Sequence, residues 1–226
     1  MPCAAGPSPE RKTAMTDTDH SRIPARLPIG SADGVDFDVV AWGPSQADVD
    51  FSVACMFEHE LGEAGMTGGL LGLDEALGGQ LGRLRTAGAF RAQPMETLLV
   101  TLPPPGLVPR AVLVIGMGKP EVLDGDLLRR ATRVAMREAI RFGAGTMAFA
   151  PSVLDAGHTD NAALDMQEVM LDGMLGALRA EHMLADAGLA NAPALRRCSF
   201  DVGAPRAAAA ARAFTAAFER RRQATG

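Results

Sequence analysis

Gly116, Met117, Gly118 and Lys119 are the residues whose types and spacing best suit holding an anion. They follow the apolar run Ala111 to Ile115 and precede Pro120 and a helical pattern from Leu127. A buried strand, a glycine turn and a helix place ligands at the carboxyl end of a sheet. Two readings of the turn stand side by side. Its backbone amides and the Lys119 ammonium approach a phosphate or a partner. Alternatively, the glycines serve a tight strand-to-helix turn that needs positive φ. The turn is not a Walker A loop, because Pro120 stands where Ser or Thr must follow the lysine. Nor is it a dinucleotide fingerprint, since Glu121 occupies the third glycine position.

Other reactive residue types are scattered. His59-Glu60-Leu61-Gly62-Glu63 resembles the start of a zincin helix, with Glu63 in place of the second histidine. Gly62 and the preceding strand argue for a solvated loop instead. Asp155, His158 and Asp160 could touch a cation or form a polar loop. The four histidines, His20, His59, His158 and His182, share no ligand spacing. No Gly-x-Ser-x-Gly elbow occurs. Arg129, Arg133, Arg137 and Arg141 recur every fourth residue on one helix, as a contact for phosphates or acids or as a solvated face. We therefore expect no catalytic residue, no metal site and no cofactor.

The elements that must position these residues follow from periodicity. Strands are predicted over Val35–Trp42, Asp50–Phe57, Glu96–Leu102, Ala111–Ile115, Thr146–Ala150 and Leu195–Val202. The third and fourth, joined by a short linker, are expected to pair antiparallel. Helices are predicted over Leu71–Ala87, from Leu127 to Phe142, over Met166–Ala187 and over Pro205–Arg222. Asp124 is the N-cap and Gly143 the stop of the second of these. Gly78 and Gly82 are expected at a close contact in the first. The Met166, Met170, Met174 stripe reads as core filling. Phe214 and Phe218 anchor the last helix. Strand–helix alternation from Ala111 onward predicts an α/β domain with a mostly parallel core over residues 31–226. Residues 1 to about 30 read as a disordered tail, within which Met15 is an alternative start.

Composition narrows the partners. A net charge of −5 and few aromatics, 4% with no Tyr, argue against a nucleic-acid binder. No apolar run reaches the roughly 18 residues of a membrane span. Cys3, Cys55 and Cys198 lack metal or redox spacing. Cys55 and Cys198 read as buried thiols of a reduced, cytoplasmic protein.

Several runs together carry a family resemblance. Glu96-Thr-Leu-Leu-Val leads to Pro109-Arg-Ala-Val-Leu-Val-Ile-Gly-Met-Gly-Lys-Pro-Glu and then to a Leu128-Arg-Arg-Ala helix. Before them come Leu73-Asp-Glu-Ala-Leu-Gly-Gly-Gln-Leu and Gly88-Ala-Phe. Over about residues 50 to 150 the chain resembles the N-terminal domain of the leucyl aminopeptidase (cytosol aminopeptidase) family. The resemblance implies a macro-domain-like three-layer α/β/α fold with a mixed, mostly parallel sheet. In that family the metal ligands and the catalytic Lys and Arg belong to the C-terminal domain, around an Asn-Thr-Asp-Ala-Glu-Gly-Arg signature that does not occur in this sequence. What it implies here is a stand-alone, non-catalytic domain that self-associates or joins a full-length leucyl aminopeptidase. Two alternatives are a nucleotide or ADP-ribose binder using Gly116 to Lys119, and one part of a split peptidase.

Overall fold

A computed structural model describes residues 26–61, 65–151 and 165–225. Seven strands form one sheet: β1 (Leu27–Ala32), β2 (Val35–Val40), β3 (Phe51–Met56), β4 (Thr97–Val100), β5 (Ala111–Gly116), β6 (Thr146–Ala150) and β7 (Arg197–Asp201). Their order across the sheet is β1-β2-β7-β6-β3-β5-β4. The inner strands β2, β7, β6, β3 and β5 run parallel, and β1 and β4 close the two edges antiparallel. Every residue of β3 and β5 is buried, as parallel strands covered on both faces must be.

The helices are α1 (Gly68–Ala76), α2 (Gln80–Thr86), α3 (Gly125–Phe142), α4 (Met166–Asp186) and α5 (Ala207–Thr225). The larger core joins α3, α4 and α5 to the sheet face bearing Phe37, Val53, Leu113, Ile115 and Phe149. The smaller one joins α1 and α2 to Ala54, Met56, Val112 and Val114. This is the expected three-layer α/β/α fold. Met170 and Met174 fill the core, and the ring of Phe218 packs on Phe37.

At the amino ends of the parallel strands Asp50 acts as a pin. Its Oδ2 accepts from the backbone N–H of Gly145 at 2.9 Å and of Thr146 at 3.1 Å, and its own N–H donates to Thr146 Oγ1 at 2.9 Å. Arg110, just before β5, lies 3.1 Å from Oδ1. Burial pushes the Asp50 carboxyl up, but these hydrogen bonds and the arginine outweigh it and hold the group below its ordinary value.

Several sequence expectations need correction. The tail expected to about residue 30 overlaps β1, which buries only Ile29 and so shows no alternation. It exists because Asp33 (φ 50°) and Gly34 (φ 78°) form a hairpin turn onto β2. The helix expected over Leu71–Ala87 is two helices, broken where Gly78 and Gly79 adopt φ 64° and 76°. Gly78 faces open space, while Gly82 sits against Asp74, whose carboxylate accepts its N–H at 3.0 Å. The arginine stripe is solvated only in part: Arg133 and Arg141 are exposed, while Arg129 and Arg137 are half-buried. Arg129 donates to Asp172 at 2.8 Å, Arg137 lies 3.3 Å from Glu181, and Arg133 lies over Gly176. Arg141 pairs within its own helix, with Glu138, and Arg129 also lies 3.6 Å from Asp126 of α3. Asp172 also accepts from Arg221 of α5 at 2.6 Å, so one carboxylate ties three helices. Burial raises its pKa, yet Arg221 and Arg129 together hold it below the usual carboxylate value.

The α3–α4 crossing depends on Gly173. A Cβ there would collide with Thr132 Oγ1 and the Arg129 carbonyl oxygen, and Thr132 is fully buried. Gly173→Ala should cost about 1–3 kcal/mol by overpacking. Gly176→Ala, whose Cβ meets only the end of Arg133 at 3.4 Å, should gain up to about 1 kcal/mol of helix propensity. Urea unfolding midpoints of the two variants, moving in opposite directions, check this.

Candidate functional site

The turn after β5 is built for contact inside the fold. Gly116 N–H donates to Glu96 O at 2.7 Å, Met117 N–H to Met56 O at 2.8 Å and Gly118 N–H to Ala92 O at 2.8 Å. The Gly118 carbonyl accepts from Glu58 N–H at 2.8 Å. The three amides aimed at a phosphate by the sequence reading are thus donated to protein carbonyls. Met117 is buried in the larger core, and Lys119 is exposed at the surface.

The two glycines have different physical reasons. Gly118 has φ 71°, and a Cβ there would lie 2.7 Å from Pro94 Cγ. Gly116 does not have positive φ. It is glycine because a Cβ would overlap the Gln93 carbonyl oxygen and come within 2.8 Å of Ala92 Cα. Segment 91–96 is clamped here, with the Glu96 carboxylate accepting from Arg91 N–H at 2.9 Å and Gln93 N–H at 3.0 Å.

The remaining candidates do not converge. Glu60 is buried and its Oε2 accepts from Phe57 N–H at 2.6 Å, a local loop closure. Gly62 and Glu63, and the Asp155, His158, Asp160 set, lie outside the described residues, as do His20 and Cys3. Among the described residues no three His, Cys, Asp or Glu side chains group closely enough to hold a metal ion. No described helix is long and apolar enough to cross a membrane. Cys55 and Cys198 are fully buried free thiols. Burial raises both pKa values, helped by Glu60 at Cys55 and by Asp38 at Cys198, so neither offers a thiolate.

A crevice of about 230 Å³ opens at the carboxyl ends of β2, β6 and β7. Its walls include Trp42, Gly43, Gly69, Ala150, Asp201 and Gly203. Trp42 is held from two sides. The Arg26 guanidinium lies 4.4 Å from its ring centroid, and its backbone N–H donates to Asp201 Oδ1 at 3.0 Å. Two helix starts reach this crevice: α1 through Gly69, and α5 through Gly203 and the 3-10 turn Ala204–Arg206. Neither has an acidic residue in its first turn, and α1 has no side-chain cap. Gly69 is needed because a Cβ would stand 2.7 Å from Pro44 Cδ.

The sequence reading missed this crevice. The signal was a glycine soon after a strand at positions 43 and 203, the same signal that drew attention to Gly116. Only the sheet order brings those positions together.

A family model for the cytosol aminopeptidase family, N-terminal domain, matches residues 57–174. The chain belongs to that family. The matched region runs from the end of β3 into α4 and includes the Gly116 turn; it starts later than the 50–150 span read from the sequence and reaches further at its carboxyl end. A mutant tomato leucine aminopeptidase superposes with a TM-score of 0.58 at 14% identity. That likeness covers 84% of this chain and 37% of the tomato chain, so this chain spans well under half of the enzyme's length. The macrodomain of Trypanosoma brucei in complex with ADP-ribose superposes at a TM-score of 0.57 and 20% identity, over 84% of this chain and 73% of that one. The Oceanobacillus iheyensis macrodomain with ADP gives 0.58 and 11% identity, over 88% and 97%. At these identities the likeness shows the fold, which is macro-like. No curated protein matches the chain.

If the turn is a structural clamp, its variants should separate. Gly116→Ala should lower unfolding stability by about 1–3 kcal/mol through overpacking. Lys119→Ala should stay within about 0.5 kcal/mol of the parent, as an exposed surface change. Chemical denaturation of both proteins measures the difference.

Proposed function

We propose that this cytosol aminopeptidase family member is a non-catalytic domain of the cytoplasm. It acts in assembly or regulation by associating with itself or with a full-length leucyl aminopeptidase. The observation that carries the reading is the match to the family's N-terminal domain. The described residues add no group of side chains able to hold a metal. Metal-assisted peptide hydrolysis at a two-metal site needs such a cluster to bind the ions and activate water.

The expected outcome is that purified protein with Mn²⁺ or Zn²⁺ releases no leucine from leucine p-nitroanilide in step with the protein through chromatography. Mixed with a full-length family peptidase, it should raise the complex's mass in light scattering or change kcat/KM. Leucine release that follows the protein overturns the non-catalytic reading. Activity that arises only on mixing with an otherwise inactive catalytic chain makes it half of a split peptidase.

The crevice supports a second reading, a small phosphate-bearing ligand. The uncapped start of α1, and a start of α5 with no acidic residue in its first turn, favour negative charge there. The Asp201 carboxylate on the same wall disfavours a bare anion and suits a ligand that adds a hydroxyl or amino donor, as nucleotides do. At about 230 Å³ the space falls below the roughly 300–1,000 Å³ of drug-sized pockets, which favours part of a nucleotide over a whole dinucleotide. Calorimetry with ADP, ADP-ribose and pyrophosphate should show heat that Trp42→Ala weakens and Lys119→Ala leaves alone. Absence of heat at millimolar ligand removes this reading. Loss on Lys119→Ala instead returns the site to the Gly116–Lys119 turn.

A further inference from the structure

We propose that an arginine-rimmed pocket between β1, α4 and α5 binds an organic carboxylate with an apolar tail. The pocket lies beside the β1–β2 hairpin, at the amino end of β2. That is the opposite end of the sheet from the crevice, and neither reading above requires it.

The pocket holds about 310 Å³, within the range of small-molecule sites. Each helix brings the same pair of residues to it: Leu175 and Arg179 on α4, Phe218 and Arg222 on α5. Positions four apart on a helix lie one above the other on one face. Each pair therefore places an apolar side chain in the floor and a guanidinium at the rim. Leu175 is buried, Phe218 is half-buried, and Arg179 and Arg222 are exposed. Ala32 of β1 completes the floor. The floor is fixed in shape, because the Phe218 ring packs on Phe37 at 5.8 Å between centroids and sits close over Gly30, where a Cβ would stand 2.7 Å away.

The charges are one-sided. Three arginines line the pocket, and no carboxylate does. Arg221 is anchored from behind, donating to Asp172 at 2.6 Å. Arg179 has one long ion pair, 3.6 Å to Asp33, and Asp33 lines the neighbouring hollow instead. Arg222 forms no ion pair or hydrogen bond among the described residues. Against three guanidinium groups stand only Asp33 and Asp172, and Asp172 is shared with Arg129. At least one positive charge is left for a ligand. The dipole of α5 accounts for arginines near its carboxyl end. It does not account for Arg179, which reaches the same pocket from within α4.

This chemistry selects the ligand. Guanidinium forks match a carboxylate. Ser31 in the wall donates its proton to Asp36 at 2.6 Å, so the side-chain donors left are the guanidinium groups. With no carboxylate in the lining, an ammonium finds no partner, which disfavours a free amino acid or a peptide amino terminus. A bare anion leaves the apolar floor uncovered. A fatty or aryl carboxylate satisfies both parts.

Calorimetry on the full chain tests this with octanoate, and with octanol and inorganic phosphate as its apolar and anionic halves. Octanoate should bind with a Kd below about 1 mM, and each half about tenfold more weakly or worse. Arg179→Ala and Arg222→Ala should each weaken octanoate about tenfold, the weight of a lost charged hydrogen bond. Both are surface changes, so urea midpoints should stay put. Arg222→Glu should abolish binding, while Arg141→Ala and Trp42→Ala should leave it unchanged. No heat from octanoate at millimolar concentration overturns the proposal. So does octanol or phosphate binding as tightly as octanoate, or octanoate binding that survives the Arg179→Ala, Arg222→Ala double variant. Loss of octanoate binding on Trp42→Ala with none on Arg179→Ala also overturns it, and moves the ligand to the crevice.

Discussion

The sheet depends on the carboxylate of Asp50. Parallel strands are not joined by tight turns, so nothing local sets their register. Here one side chain does so across the amino ends of three strands. It takes two amides at the start of β6, meets the arginine that precedes β5, and belongs to the residue that opens β3. The hydroxyl of Thr146 closes the arrangement on the backbone of Asp50 itself. With the amino ends held, the carboxyl ends are free to carry loops of different lengths. The crevice opens at that end.

The parts of the fold legible in the sequence were those decided by neighbours along the chain. β5 is an unbroken apolar run. Asp124 accepts from Leu127 N–H at 2.7 Å, as its place before an acidic first turn foretold, and Gly143 ends α3 with φ 77°. The parts that were not legible depend on distant residues. Arg129 and Arg137 looked solvated because their partners, Asp172 and Glu181, lie on another helix. The split between α1 and α2 was signalled by Gly78-Gly79, yet leucines at helical spacing masked it. β1 was lost because an edge strand with a single buried residue has no pattern, although Asp33-Gly34 is a hairpin signal that could have restored it.

The candidate site shows the same division. Gly116 to Lys119 was found because strand, glycine and helix are contiguous. Its amides were already taken by Met56, Ala92 and Glu96, carbonyls that come from two other segments. The crevice gathers Trp42, Gly69, Ala150 and Asp201 from four separate stretches. No spacing rule joins them without the strand order. The crevice lies at the carboxyl ends of the strands, where open α/β sheets leave space between loops, and its side chains come from stretches that only the strand order brings together.

Trp42 has a consequence of an optical kind. The chain contains one Trp and no Tyr, so its near-ultraviolet emission comes from a single ring. That ring stands at the wall of the crevice, beneath the Arg26 guanidinium and bonded through its backbone to Asp201. Emission from the unaltered protein is therefore a local reading of one spot, free of background from any other indole or phenol. The wall of the crevice carries its own built-in lamp.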